Sequence, residues 1–298
     1  MSTSSPHVVD AHLHLWDRSR FDYPWMTDLP ALPHTSLPPD ITTSGAVVIE
    51  AGARMDQAIA EVDWLTELSH HSPRIWGVVA AVDLTDPRLG EMIAQLLENA
   101  FVVGVRDNFE GRPLGELDLY SSPVARALRG GIIAVLEAGL TFDICVRSAQ
   151  LPELINLLTS IVEVRGSATG LVLDHLGKPL PDGPHTGRED WARSMTQLAD
   201  LPGLHTKFSG LPGQIPGEVD VDRAQELVHE HLEVVDAFGA DRTMFGTDHP
   251  VSTIAHGLET SDWVCAATSE FRDRLTAAEL ASVAGGTAIE FYGLRRHP

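Results

Sequence analysis

Eight short runs of apolar and β-branched residues recur along this 298-residue chain, and helical patterns fill the intervals between them. The runs are residues 7–15, TSGAVVIEA (43–51), IWGVVAAVDL (75–84) and FVVGVRDNF (101–109), then LTFDICV (140–146), TGLVLDHL (169–176), LHTKFSG (204–210) and TMFGTDHP (243–250). Intervening stretches such as AIAEVDWLTELSHH and PRLGEMIAQLLENA repeat their apolar residues every three or four positions, as helices packed on a sheet require. Strand–helix alternation predicts a parallel sheet with crossover helices, and a count of eight predicts an α/β fold of the closed (β/α)8 TIM-barrel type. The expected organisation is a single domain spanning residues 1–298.

One connection breaks the short-loop rule. Residues 17–40, DRSRFDYPWMTDLPALPHTSLPPD, follow the first run and carry five prolines with Phe21, Tyr23 and Trp25. This composition predicts an ordered, extended flap after strand 1. A second loop, 177–190, follows strand six. Both fall on the C-terminal face of the expected barrel, where barrel enzymes carry their chemistry.

Strict alternation along VVDAHLHL puts Val8, Asp10, His12 and His14 on one face and Val9, Ala11, Leu13 and Leu15 on the other. The second set is wholly apolar and suits the helical layer, so the histidines are expected to look into the barrel. Two imidazoles at i and i+2 can converge on one cation, since neutral ring nitrogens are good metal ligands, although two hydrogen-bonded core histidines would give the same pattern. The same alternation places His175 at the mouth of strand six and Asp248 inward at the end of strand eight, with Gly246 leaving room beneath it. Asp174 is expected on the opposite face from His175, either backing the site's histidines or facing the helices, and Asp10 deeper, orienting one of the histidines. Arg106 and Lys207 are further inward candidates for substrate or for structural ion pairs. Four chemistry-bearing side chains at matching strand ends mark a site.

Composition removes several function classes. Lys plus Arg number 21 against 42 Asp plus Glu, a formal net charge of −21, which argues against nucleic acid and anionic membranes as partners. No apolar run approaches the roughly 20 residues of a membrane span, and the N-terminus lacks a signal-peptide pattern. Only Cys145 and Cys265 occur, both expected as buried structural thiols in a cytoplasmic protein. An oligomer is compatible with the sequence. No GxSxG elbow, phosphate-cradling glycine loop or Cys–His nucleophile pair is present. His229 and His231, on a helix at i and i+2, cannot share a ligand; His205 lies at the wrong end of its strand, His34 and His185 fall in loops, and His249 should point away from the barrel axis.

The chain resembles the amidohydrolase superfamily, and within it the amidohydrolase-2 branch of lactone hydrolases. The matching segments are VDAHLHLWD, YPW, VVIEAGA, GVVAAVDL, GVRDNF, LTFDICVRSAQL, LDHLGKP, TKFSGL, FGADRTMFGTDHPVS and GTAIEFYGL, which run over nearly the whole chain. Relatives of that branch open sugar lactones such as L-fuconolactone and L-rhamnonolactone, or 2-pyrone-4,6-dicarboxylate. The resemblance implies that His12, His14, His175 and Asp248 are the catalytic set and the ligands of any metal, with Asp248 taking a proton from the attacking water. It implies that Arg106 and Lys207 hold substrate or polarise its carbonyl. Two-metal members use a bridging lysine and histidines at the ends of strands five and six, whereas strand five here offers only Asp143 and Arg147. One divalent ion, such as zinc, or a metal-independent site is therefore implied.

The expectation is hydrolysis of a small lactone, with Trp16 and Trp25 of the flap covering the ring. A sugar lactone is favoured over a dicarboxylate, because a dianion would ask for several convergent arginines. The alternatives are a metal-dependent decarboxylase of the same superfamily and a non-catalytic binder of small ligands, which would have no need of a general base.

Overall fold

Each of the eight apolar runs forms one strand of a single parallel sheet in the computed structural model, which describes residues 7–27, 29–180 and 185–295. The leader reading of residues 1–6, residues 181–184 of the expected 177–190 loop, and the side chain of His185 lie outside the described residues; the rest of that loop is shorter than expected, since the helix His185–Ala199 already starts within it. The strands are β1 (Val9–Leu13), β2 (Gly45–Ile49), β3 (Ile75–Ala81), β4 (Val102–Asn108), β5 (Thr141–Cys145), β6 (Leu171–Leu173), β7 (His205–Phe208) and β8 (Thr243–Phe245). They pair in chain order. The ring closes where β1 meets the segment after β8: Asp248 N donates to His12 O at 2.7 Å and His14 N to His249 O at 2.8 Å. Asp10 fastens the same seam, accepting from Thr247 N at 2.9 Å and Thr247 Oγ1 at 2.5 Å. Asp10 also accepts from His12 N at 3.0 Å, so it holds that histidine, and does so through the backbone. Helices pack outside, and the molecule is a (β/α)8 barrel.

The strict alternation expected of β1 fails at one point. Asp10 pairs with Ala46 and Leu13 with Val48, so β1 spends three residues where β2 spends two. This bulge flips the parity of the strand. Below it Val9 and Ala11 join an interior cluster with Val47, Ile49, Val79, Val172 and Met244. Beyond it Leu13 and Leu15 pack in the outer core with helical residues such as Leu65 and Ile132, while both histidines still face inward. The interior cluster is completed by Ala288, Tyr292 and Leu294, so the C-terminal helix (Thr287–Tyr292) seals the barrel end away from the histidines. Gly246 is required where the seam is tightest, because a Cβ there would lie 2.9 Å from the His12 Cβ.

The proline-rich connection carries its own small core. Trp16–Asp17 pairs antiparallel with Thr35–Ser36, and Trp16, Tyr23, Met26 and Leu32 pack on Ala51 and Ala53 beyond β2. Cys145 is buried, but Cys265 is exposed on the helix Thr260–Arg274, correcting the expectation that both thiols are internal.

Behind this flap Glu61, on the helix Ala58–His71, is fully buried beside Tyr23, and neither carboxyl oxygen has a well-formed hydrogen bond. Burial, helped by the neighbouring Glu50 carboxylate, pushes its carboxyl up to about 8 from an ordinary 4.5. The folded chain thus keeps a proton that the unfolded chain releases, so stability is greatest at or below the ordinary carboxyl range and falls as pH rises from about 4.5 to about 8. The loss is on the order of several kcal/mol at one unit per 1.4 kcal/mol. Glu61→Gln, which has no proton to lose, should melt higher than wild type at about pH 8.5, with that advantage shrinking towards about pH 5. Thermal melts of both proteins across that range check it; equal slopes would contradict a buried neutral Glu61.

Candidate active site

The ends of seven different strands converge on one cavity of about 410 Å³, lined among others by His14, Trp25, Glu50, Ala81, Arg106, Cys145, His175, Lys178 and Asp248. At its floor three imidazoles face one carboxylate oxygen. Asp248 Oδ1 lies 3.3 Å from His14 Nε2, 3.6 Å from His12 Nε2 and 3.9 Å from His175 Nε2, and the two Nε2 atoms of His12 and His14 are 3.3 Å apart. The structure brings His12, His14, His175 and Asp248 together.

Local backbone makes the convergence. His175 and Asp248 both take the left-handed conformation, at φ 54° and 53°. Such residues cost about 1–3 kcal/mol each and persist where the surroundings enforce them. After β6 the left-handed turn also breaks strand alternation, so Asp174 points inward alongside His175, not on the opposite face expected of it. Gly210 fits closely against the turn: a Cβ there would sit 2.5 Å from His175 Nδ1.

Each outer nitrogen has a partner of its own. His14 Nδ1 lies 3.0 Å from Glu50 O and 3.1 Å from Ile49 O, and so must carry the proton. His175 Nδ1 bonds Ser209 Oγ at 2.9 Å, and His12 Nδ1 lies 3.3 Å from Asp174 Oδ1. Burial keeps two of the rings uncharged, lowering His175 to about 4 and His12 well below its ordinary value despite the nearby carboxylates. Burial would raise Asp248, but the imidazoles of His175, His14 and His12 outweigh it and hold the carboxyl far below its usual range. His14, with its proton on Nδ1, thus turns an Nε2 lone pair towards the anionic Asp248 oxygen, and the Nε2 atoms of His12 and His175 stand beside it. A cation resolves that conflict.

The spacing suits one. Tetrahedral zinc with bonds of about 2.0–2.1 Å sets its ligands about 3.3 Å apart, close to the observed separations. His12, His175 and Asp248 offer ligand atoms all within 4.8 Å of one another. Charge agrees: the network around His12 holds two cations, Lys207 and Arg106, paired with Asp143, Asp174 and Glu50, and a fourth carboxylate, Asp248, beside His12 itself, an excess of two negative charges. The residues present fit a divalent ion.

Other expected contacts change. Lys207 is fully buried beneath His12 and outside the cavity lining, with Nζ 2.5 Å from Asp143 Oδ2 and 3.0 Å from Asp174 Oδ1. It supports the histidine layer instead of touching a ligand. Arg106 lines the cavity but is occupied: Nε and Nη2 fork onto Glu50 Oε1 at 2.6 and 2.5 Å, Nη2 reaches Glu50 O, and Nη1 faces Asp174 at 3.5 Å. Trp16 is fully buried, its indole donating to Pro33 O at 3.0 Å, and does not reach the cavity. Trp25 does, with its indole donating to Ala51 O at 2.7 Å. His249 turns away to Thr260 Oγ1 at 2.6 Å. Sequence reasoning missed Glu50, Glu110 and Lys178; for Glu50 the signal was a lone acid ending β2, the same kind of mark that flagged Asp248.

The amidohydrolase family model matches residues 9–294. The chain belongs to the amidohydrolase family. This amidohydrolase is 30% identical to an L-fucono-1,5-lactonase of Burkholderia multivorans over 96% of each chain. It is likewise 30% identical to an L-fucono-1,5-lactonase of Burkholderia ambifaria, over 97% of this chain and 96% of the relative. Among solved structures it superposes on an amidohydrolase from Burkholderia multivorans with bound zinc at a TM-score of 0.81 and 26% identity, covering 97% of this chain and 99% of that one.

Proposed function

We propose that this amidohydrolase opens the ring of a small sugar lactone by adding water to its carbonyl. The observation that carries the reading is the convergence of His12, His14 and His175 on Asp248 Oδ1 at the floor of a ligand-sized cavity. The lactonase names of two full-length relatives support the reaction class. Charge supports a neutral ring over a dicarboxylate. Both cations lining the cavity are already paired, Arg106 with Glu50 and Lys178 with Glu110, so no uncommitted cation among the described lining residues awaits a carboxylate.

Asp248 is the general base. Its carboxylate takes a proton from water as the water oxygen bonds to the carbonyl carbon, then returns it to the ring oxygen as the carbon–oxygen bond of the ring breaks. Ser252 Oγ, donating to Asp248 Oδ2 at 2.5 Å, holds the carboxylate with Oδ1 towards the histidines. Glu50 and Asp174 fix the floor from behind, through Arg106 and His12. A divalent ion held by His12, His14, His175 and Asp248 would act as a Lewis acid towards the carbonyl.

Two results test this reading together. The purified chain should carry about one equivalent of divalent metal, as a tetrahedral site of this kind holds. His12→Ala with His14→Ala should lose that metal by elemental analysis, and lactone turnover with it. Full turnover by a metal-free double variant would sink the ligand assignment.

A further inference from the structure

Lys178 stands on the cavity wall with no part in the chemistry described so far. It ends a run of four left-handed residues that starts at His175, with φ of 54°, 52°, 65° and 53°. The run turns His175 into the floor of the cavity and Lys178 along its side. Lys178 is a long-chain residue in a conformation favoured by glycine, so the strained turn places its ammonium at a conformational cost. Its Nζ donates to Glu110 Oε2 at 2.5 Å, joining the loop after β6 to the loop after β4. The buried Cys145 thiol backs the pair, with Sγ 4.0 Å from the same oxygen.

The pair is incompletely used by the protein. An ammonium has three N–H donors, and Glu110 is the one hydrogen-bond acceptor Lys178 has among the described residues. Glu110 Oε1 accepts no hydrogen bond there, and both side chains remain partly exposed, at 23% and 36%. Donors and a carboxylate oxygen thus stand side by side in a pair whose net charge is zero. Two neighbouring hydroxyls match that arrangement, one accepting from the ammonium and the other donating to the carboxylate. A carboxylate ligand does not, because its charge would stand against the free oxygen of the Glu110 carboxylate.

We propose that the Lys178–Glu110 pair is the hydroxyl-recognition element of the cavity and binds two adjacent ring hydroxyls of the substrate. This rests on the lactone reading for the reaction but assigns separate residues to a separate part of the ligand. Lys178 and Glu110 bind the ring remote from the carbonyl; the histidines and Asp248 act on the carbonyl itself.

The test compares L-fucono-1,5-lactone with δ-valerolactone, the same ring without its hydroxyls and methyl group, using wild type, Lys178→Gln, Glu110→Gln and Lys178→Arg. Each glutamine variant should raise KM for the hydroxylated lactone about tenfold or more, the size of a lost hydrogen bond to a charged group, with kcat changed much less. The loss of kcat/KM on δ-valerolactone should be at least about tenfold smaller, and Lys178→Arg should recover part of the loss. Equal losses on both lactones, or none on either, overturn the proposal. Calorimetric binding of a 1,5-anhydroalditol, the hydroxylated ring with no carbonyl, separates the two readings. If no lactone is turned over, the reaction assignment falls, while polyol binding that Lys178→Gln weakens upholds this one. If lactones are opened but the polyol binds wild type and variant alike, or neither, the hydroxyl assignment falls alone.

Discussion

Asp248→Asn is expected to lower kcat for lactone opening on the order of a thousandfold, within the range that a positioned general base contributes. The amide keeps the size and shape of the carboxyl group but cannot accept the proton of the attacking water. Folding should survive, because the left-handed turn at Asp248 suits asparagine and Ser252 can still bond the side-chain oxygen. Metal content measured on the same preparation separates loss of the base from loss of a ligand. A variant that retains its metal and within about tenfold of wild-type kcat would remove Asp248 from the role of base.

The second large effect is on stability. Lys207→Met should destabilise the chain by about 3–5 kcal/mol, since removing one partner leaves buried carboxylates without their counter-charge. Lys207 is fully buried, and its ammonium sits between Asp143 and Asp174 and 3.1 Å from His12 Nδ1. A fall in melting temperature of about 10 °C is the corresponding readout for a chain of this size. Adding Asp143→Asn should restore part of it, because Asp143 would then carry no uncompensated charge and Tyr292 could still donate to it. A melt within about 2 °C of wild type would show that Lys207 is dispensable to the floor of the site.

The barrel was legible because a parallel sheet buries both faces of every strand, leaving eight unmistakable apolar runs between helical patterns. The parity of β1 was not. VVDAHLHL alternates without a break, and nothing in it marks the extra residue between Asp10 and Leu13 that turns Val9 and Ala11 inward below the histidines. The histidines were placed correctly even so, because the bulge lies beneath them. Asp174 was misplaced for a related reason: alternation holds only while the chain stays extended, and here it turns left-handed at His175. Depth was equally hidden. Lys207 and Arg106 were both readable as inward, yet one supports the histidine layer from below and the other is spent on Glu50, a partner 56 residues away. Pairings at such separations follow from strand order and register, which only the folded sheet supplies.

The most direct measurement is acid release when the purified wild-type protein is mixed with L-fucono-1,5-lactone in a weakly buffered indicator solution. One proton should be released per lactone consumed, at a rate far above spontaneous hydrolysis and proportional to enzyme. Spontaneous rates alone, across a panel of sugar lactones and with divalent metal supplied, would contradict it.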